Sequence, residues 1–332
     1  MEKLYLSPLV DIFKKNNKIF LCEDDIYTIE YEDETIFKVL DKLKKGCTEF
    51  DIKELLGEEG KNLIETLSDM GFIKVCNNNK FIDTPVEKQV EYLFSITKDG
   101  NEAQIKLGKA TVCIIGVGGI GAIVIQHLVA AGIKNFVLVD GDKVNSTNFN
   151  RQLIYRNSQI GMKKVYAAME YIQENCHLSK VLCIDKFLNS KNDLKILDEI
   201  NMDFIVCGAD KPYNKIQALV SEYSMIRQLP SMYANVGINV GNWGPLIDPL
   251  KDISYREYLD KILEHMNDDE RAINKIERQP LTASFCVTNT IIGVFMSNEI
   301  IKYLIGIKEN TGKIFAIDFK TYEISEENIN EL

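Results

Sequence analysis

The chain has 332 residues, 45% of them hydrophobic, and a formal net charge of −10. That length suits two domains with a sizeable core, and the acidic balance argues against nucleic acid or an anionic membrane as the main partner. The eight Cys stand singly with no Cys-x-x-Cys pair, and only three His are present, so zinc and a disulfide framework are not expected. A reducing, cytoplasmic setting fits that cysteine usage.

Near the amino terminus, Pro8, Asp11, Lys14 and Lys15 break up the short apolar stretch, which speaks against a signal peptide. Residues 1–76 read as a small winged-helix-like α+β domain. Strands are expected near 10–13, 19–22 and 27–31. A helix over about 34–45 follows, with Ile36, Phe37, Val39, Leu40 and Leu43 at helical spacing and Gly46 as its stop. Thr48 and Asp51 form a capping-box pattern for a second helix. Leu63, Ile64, Leu67 and Met70 mark a third, and a strand over 72–75 closes the unit. Winged helices often read DNA, but residues 1–90 hold 13 Lys, no Arg and 19 acidic residues, a formal charge of −6. A DNA reader needs a basic face, so a peptide or protein ligand is the better match. Residues 77–100 read as a linker followed by a helix near 86–96.

The chemistry is concentrated in 110–164. An apolar strand, Thr111 to Ile115, runs into Gly116-Val117-Gly118-Gly119-Ile120-Gly121, and a helix follows to about Ala131, where Gly132 stops it. A second strand, Phe136 to Val139, ends on Asp140. Gly116, Gly118, Gly119 and Gly121 allow a tight turn and close approach of a nucleotide, while the helix start offers free N–H groups to phosphate. Asp140, about twenty residues on, is placed to accept from ribose hydroxyls. The uncharged run 110–133 has the length of a membrane span, but its glycines and strand-to-helix switch make that reading poor. Arg151 is the first Arg in the chain, and Arg is suited to bidentate phosphate contacts.

Helices over 162–176 and 212–228 alternate with strands near 181–184, 204–207 and 232–236. That alternation predicts an α/β fold: a Rossmann-like, mostly parallel sheet with helices on both faces. Pro212 is expected at the first position of its helix. A charged insertion covers about 250–279, where Tyr255, Tyr258, Leu259, Ile262, Leu263 and Met266 line a helical face that either packs onto the domain or forms a lid. A helix over 289–305 and a hairpin (313–319, 322–324) complete a domain spanning 101–325. The polar tail from Glu323 is the one stretch where disorder is expected.

Beyond Asp140 the pattern is Asp-x-Asp (Asp140, Asp142), Asn-x-x-Arg-Gln (Asn148, Arg151, Gln152), Gly-x-x-Lys (Gly161, Lys164), then Asp210 in Val-Cys-Gly-Ala-Asp. With the stretch from Ser284 to Gly306, this set resembles the ThiF/MoeB/MccB family, bacterial relatives of ubiquitin-activating enzymes, over roughly residues 100–320. The resemblance implies ATP and Mg2+ as cofactors, with Arg151, Lys164 and Asp210 as catalytic residues and Asp210 as the magnesium ligand. It places Asn148 and Gln152 on phosphate oxygens and Asp140 on the ribose; for Asp142 a structural role is expected. It further implies a homodimer. The chain departs from that pattern in three ways. It lacks the zinc Cys pairs, it has no Cys between Gly208 and Phe285, and no Arg precedes the glycine loop, leaving Lys98 or Lys106 as substitutes.

The first 76 residues are similar to the PqqD-type peptide recognition element of the MccB-like branch. The implied activity is ATP-dependent adenylation of a carboxyl or carboxamide on a ribosomally made precursor peptide, in a microcin-like pathway. Three alternatives stay open. One is a non-catalytic leader-peptide-binding partner of a separate cyclodehydratase, and another is adenylation of a ubiquitin-like sulfur carrier. The third, an NAD-dependent oxidoreductase, leaves Asn148, Arg151, Gln152 and Lys164 without purpose.

Overall fold

The structure is a computed structural model that describes residues 3–7, 10–23, 25–30, 34–76, 79–213, 215–269 and 283–331. The chain divides into two compact units, 1–105 and 106–332. The helices beyond residue 76 therefore fall within the first unit up to Ile105.

In the first unit, β1 (Lys3–Leu6) pairs antiparallel with β5 (Ile73–Cys76). A separate antiparallel meander comprises β2 (Asp11–Lys15), β3 (Lys18–Cys22) and β4 (Ile26–Glu30). Asn16 and Asn17 make the β2–β3 turn with φ of 49° and 58°, a left-handed pair that matches the twist of a two-residue hairpin. Helices α1 (Thr35–Lys45), α2 (Glu49–Leu56) and α3 (Glu58–Asp69) follow. Thr48 and Asp51 close the expected capping box. Val39, Leu40, Leu43, Ile52, Leu67 and Phe72 form the core with Ile19 and Leu21 of the meander. Next come α4 (Glu87–Ile96) and α5 (Gly100–Lys109), which crosses the division between units.

The second unit is built on one eight-stranded sheet. Its strands are β6 (Thr111–Ile115), β7 (Asn135–Val139), β8 (Lys180–Ile184), β9 (Phe204–Cys207), β10 (Ser231–Val236), β11 (Val240–Ile247), β12 (Lys313–Asp318) and β13 (Ile324–Asn328). Their spatial order is β13-β12-β11-β10-β9-β6-β7-β8. The five strands from β10 to β8 are mutually parallel, and β11, β12 and β13 add antiparallel. Crossovers through α6 (Gly119–Ala130) and α7 (Lys164–Asn175) step one way from β6, and α9 (Ile216–Ile226) steps the other way from β9 to β10. A single turn, α8 (Lys191–Leu194), lies between β8 and β9. Right-handed crossovers in opposite directions put these helices on opposite faces. The reversal falls between β6 and β9, and crevices for ligands form at the carboxyl ends of such strands.

Helix α10 (Tyr255–His265) packs beside α9, and α11 (Cys286–Ile305) lies along α6 and against β10 and β11. Of the insertion, Tyr255 and Tyr258 are buried against the sheet core with Leu259 and Ile262 beside them, which is the packed-face alternative. Residues 270–279 of it lie outside the described residues.

Two expectations are corrected, and one strand was missed. Pro212 is not at the first position of its helix: α9 begins at Ile216, and the Pro212 carbonyl instead accepts from the N–H groups of Lys215 and Ile216. Strand β11 was hidden in the sequence by Gly244-Pro245. The β10–β11 register slips between Met232 and Ala234, so that dipeptide faces an irregularity where Pro removes no ladder bond. The polar tail is ordered as β13, with Ile329 fully buried and Asn330 bonded to Asp252 and to the Ile253 N–H.

One ion pair ties the end of β11 to the α11–β12 connection. Buried Asp248 accepts from Lys308 Nζ at 3.1 Å, and Lys308 also lies over the Tyr303 ring, 4.2 Å from its centroid. Burial pushes the Asp248 carboxyl up, but the Leu250 N–H and Lys308 outweigh it and hold it below the ordinary range. A carboxyl lowered in the folded state stabilises above its unfolded pKa of about 4, and that stabilisation is lost as pH falls through the lower folded value. Lys308→Met is expected to cost about 1–3 kcal/mol near pH 7. The difference in urea midpoint from the unsubstituted protein should shrink as the pH drops below about 4.

Candidate functional site

The site is assembled at the carboxyl ends of β7, β6 and β9. After β6 the chain turns at Gly116, where φ is +90° and an added Cβ would lie 2.5 Å from the Ala209 nitrogen. Both facts demand glycine, and together they seat the loop directly on the residue after Gly208. Gly119 opens α6, and an added Cβ there would strike the Asn289 carboxamide oxygen. Gly118 caps the helix without a side-chain hydrogen bond, and the first turn carries no acidic residue. The amide groups of that turn therefore keep their donors and the positive end of the helix dipole for an outside anion.

The loop is gripped on both sides of one residue, through the two peptide groups that flank the Val117 Cα. Asp140 Oδ2 accepts from the Val117 N–H at 2.8 Å, while the buried Tyr155 hydroxyl donates to the Val117 carbonyl at 2.7 Å. The other Asp140 oxygen accepts from the Asp142 N–H at 2.8 Å. Burial raises the Asp140 carboxyl above its usual range despite the nearby Lys164 charge. Its bonds to backbone make Asp140 first a clamp on the loop, with a further lone pair on each oxygen left for a ribose.

Lys164 is not solvated. It is buried at the first position of α7 and bonds Asp142 at 3.0 Å. Asp142 thus takes the structural part expected of it. Asn148 is buried, and its side-chain oxygen accepts from the Asn145 N–H at 2.9 Å, which shapes the loop. Arg151 Nη1 donates to the Thr147 carbonyl at 3.1 Å and to Asn150 Oδ1 at 2.9 Å, while its Cδ would lie 3.5 Å from a Cβ at Gly119. Gln152 is 2% exposed, its side-chain oxygen has no partner among the described residues, and its Nε2 lies beside Gly118. Asp210 is exposed, three residues past the end of β9, and no described residue bonds its carboxylate.

The structure therefore brings Gly116, Gly118, Gly119, Asp140, Arg151 and Gln152 onto one loop, with Lys164 behind Asp140. Two members were missed in the sequence. Tyr155 carried no motif signal. Asn289 stood as one polar residue in an apolar helix, and its Nδ2 donates to Ser284 Oγ at 3.0 Å and to the Phe285 carbonyl at 2.8 Å. A triphosphate fits this arrangement: a bare helix start, an Arg beside it, and the Gln152 NH2 next to Gly118 as a further donor. Mg2+ takes one or two carboxylates and completes its shell from phosphates and water, so a lone Asp210 suffices as a protein ligand. Among the described residues no group of three or more His, Cys, Asp or Glu could hold a metal by itself. No helix among them is long and apolar enough to cross a membrane.

The family model for ThiF matches residues 89–331. The chain belongs to the ThiF family. Among solved structures, the ThiF fold seen here resembles E. coli MccB with ATP at TM-score 0.80 and 21% identity, covering 99% of this chain and 97% of that one. PaaA is similar at TM-score 0.74 and 20% identity, covering 97% and 99%. Among curated proteins, the sulfur carrier protein adenylyltransferase of Thermus thermophilus is 37% identical over 111 residues, 33% of this chain and 40% of that protein. The adenylyltransferase and sulfurtransferase uba4 of Aspergillus niger is 34% identical over 136 residues, 41% of this chain and 27% of that one. The chain thus spans about a quarter to two fifths of the length of these two relatives.

Tyr155→Phe is expected to leave the Val117 carbonyl unpaired in a buried place. That should cost about 1–2 kcal/mol in urea unfolding. It should also speed amide exchange at Val117 and Gly118 by native-state NMR.

Proposed function

We propose that the protein is an ATP-dependent adenylyltransferase that acts on a carboxyl or carboxamide group of a ribosomally made precursor peptide, in a microcin-like pathway. The observation that carries the nucleotide part is the bare start of α6, with the Arg151 side chain and the Gln152 side-chain NH2 beside it as donors. Helix N-termini of this kind bind phosphate. The family supports the same chemistry, and one similar solved structure is the microcin C7 biosynthetic enzyme MccB in complex with N-formylated MccA.

In the reaction, an acceptor carboxylate oxygen bonds to the α-phosphorus of ATP while the bond from that phosphorus to the bridging oxygen breaks. Pyrophosphate departs with the electron pair. A carboxamide oxygen reacts in the same way and then gives up an N–H proton. Positioning and neutralisation of growing phosphate charge carry such transfers. Asp140 orients the ribose, and Gln152 and Asn148 hold phosphate oxygens by their amide groups. Arg151 turns its guanidinium from the Thr147 carbonyl to the triphosphate, with Lys164 as a fixed positive charge behind. Asp210 holds Mg2+, which neutralises phosphate charge when bound.

The first unit is the peptide-binding element, similar to the PqqD type. Its three-stranded meander has β2 and β4 as outer strands, and Ile26 and Tyr27 of β4 are exposed. A peptide added there gains affinity from backbone hydrogen bonds and selectivity from side-chain pockets. Adenylation of a sulfur carrier protein is the second reading, favoured by the names of the curated relatives.

Arg151→Ala and Asp210→Ala are each expected to lower pyrophosphate release by roughly 10²–10³-fold while circular dichroism is unchanged. Calorimetry with MgATP on the full chain decides the nucleotide reading, since a leader-binding scaffold without an adenylation site would take up no heat.

A further inference from the structure

Arg151 is held by more than its own loop. Its Nη1 carries two hydrogens, and both are in use, one on the Thr147 carbonyl at 3.1 Å and one on Asn150 Oδ1 at 2.9 Å. The Nε and Nη2 hydrogens have no partner among the described residues. They form the side-on fork of the guanidinium, an edge suited to two oxygens of an anion. Whatever fixes Asn150 therefore fixes where that fork points.

Asn150 is fixed from far along the chain: its Nδ2 donates to the Ser284 carbonyl at 2.8 Å. A carbonyl only accepts and a guanidinium only donates, so the two ends of the Asn150 amide cannot be exchanged. Ser284 is fixed in turn by Asn289, whose Nδ2 donates to Ser284 Oγ at 3.0 Å and to the Phe285 carbonyl at 2.8 Å. With its NH2 committed to a carbonyl, Asn289 turns its oxygen the other way, where a Cβ on Gly119 would lie 2.3 Å from it. Contacts thus run in a ring from Arg151 through Asn150, Ser284 and Asn289 to Gly119, beside which the Arg151 Cδ lies.

The ring is anchored at its buried end. Asn289 is buried, and Gly293 sits one turn further along the same face of α11. An added Cβ at Gly293 would lie 2.7 Å from the Ile123 side chain of α6, and that close approach fixes the start of α11 relative to α6. Thr147 and Asn150, by contrast, are exposed loop residues, and a hydrogen bond between exposed groups holds little by itself. The buried end supplies the rigidity, and Asn150 passes it to the cation.

We propose that Asn289 and Asn150 are positioning residues that act in series through Ser284 and set the Arg151 fork against the outer phosphates of the triphosphate. When the guanidinium leaves the Thr147 carbonyl, Asn150 is its pivot. The inference rests on the adenylation reading for its purpose, but half of its test needs no nucleotide. In the full chain, the order of the Arg151 Nε–H bond is followed by side-chain NMR relaxation. Calorimetry gives the affinities for a non-hydrolysable ATP analogue and for AMP. Without nucleotide, Asn150→Ala and Asn289→Ala are each expected to loosen the Arg151 signal, and the double variant no more than Asn150→Ala alone. If Asn289→Ala does not fold, Ser284→Ala breaks the same link at its hydroxyl and is expected to loosen that signal too. Asn150→Ala should weaken binding of the analogue roughly three- to tenfold and leave that of AMP, which lacks the outer phosphates, unchanged. An Arg151 signal that neither Asn289→Ala nor Ser284→Ala moves, an additive loss in the double variant, or equal losses toward the analogue and AMP would overturn the proposal. Failure of the unsubstituted chain to bind the analogue, with the Arg151 signal responding as expected, would count against the adenylation reading alone.

Discussion

One residue, held through both of its backbone polar groups, governs the nucleotide end of this protein. Val117 sits between two turns of a glycine loop, where the backbone has the most freedom and the least side-chain mass to hold it. The Asp140 carboxylate takes its N–H and the Tyr155 hydroxyl gives to its carbonyl. With the peptide groups on either side of Val117 tied, the loop has one shape, and the helix that starts two residues later has one direction. Such a loop presents its donors without first having to order, which preserves binding free energy.

That constraint explains why the acidic residue after β7 carries so much. An Asp at this place reads in sequence as a ribose ligand. In the structure it also anchors the loop and keeps Asp142 close enough to pair with Lys164. Of the two roles set against each other in the sequence, the structural one is what these bonds show. Asn148 likewise shapes its own turn through its oxygen.

How much was legible follows from how local each determinant is. The strand, glycine turn, helix and strand from Thr111 to Asp140 were readable because each rests on neighbours within about twenty residues. Thr48 with Asp51 was readable for the same reason. Asn289 was not, because what makes it part of the site is Gly119, far away in the chain, whose missing side chain gives it room. Strand β11 contained a Gly-Pro pair that breaks an ordinary strand, and only the slipped register of β10 makes the pair harmless. The tail looked too polar to order, yet a single buried Ile329 and the Asn330 bonds dock it.

The electrostatics then divide the carboxyl edge into two ends. Around Asp140 lie two carboxylates and one buried ammonium, a balance that leaves this end slightly negative and unsuited to hold phosphate by itself. Positive potential is concentrated instead at the α6 start and Arg151, one strand over, so the middle of the edge is the part suited to an anion. At the far end Gln217, Asn235 and Asn242 are neutral amides bonded to one another, which neither attract nor repel an anion.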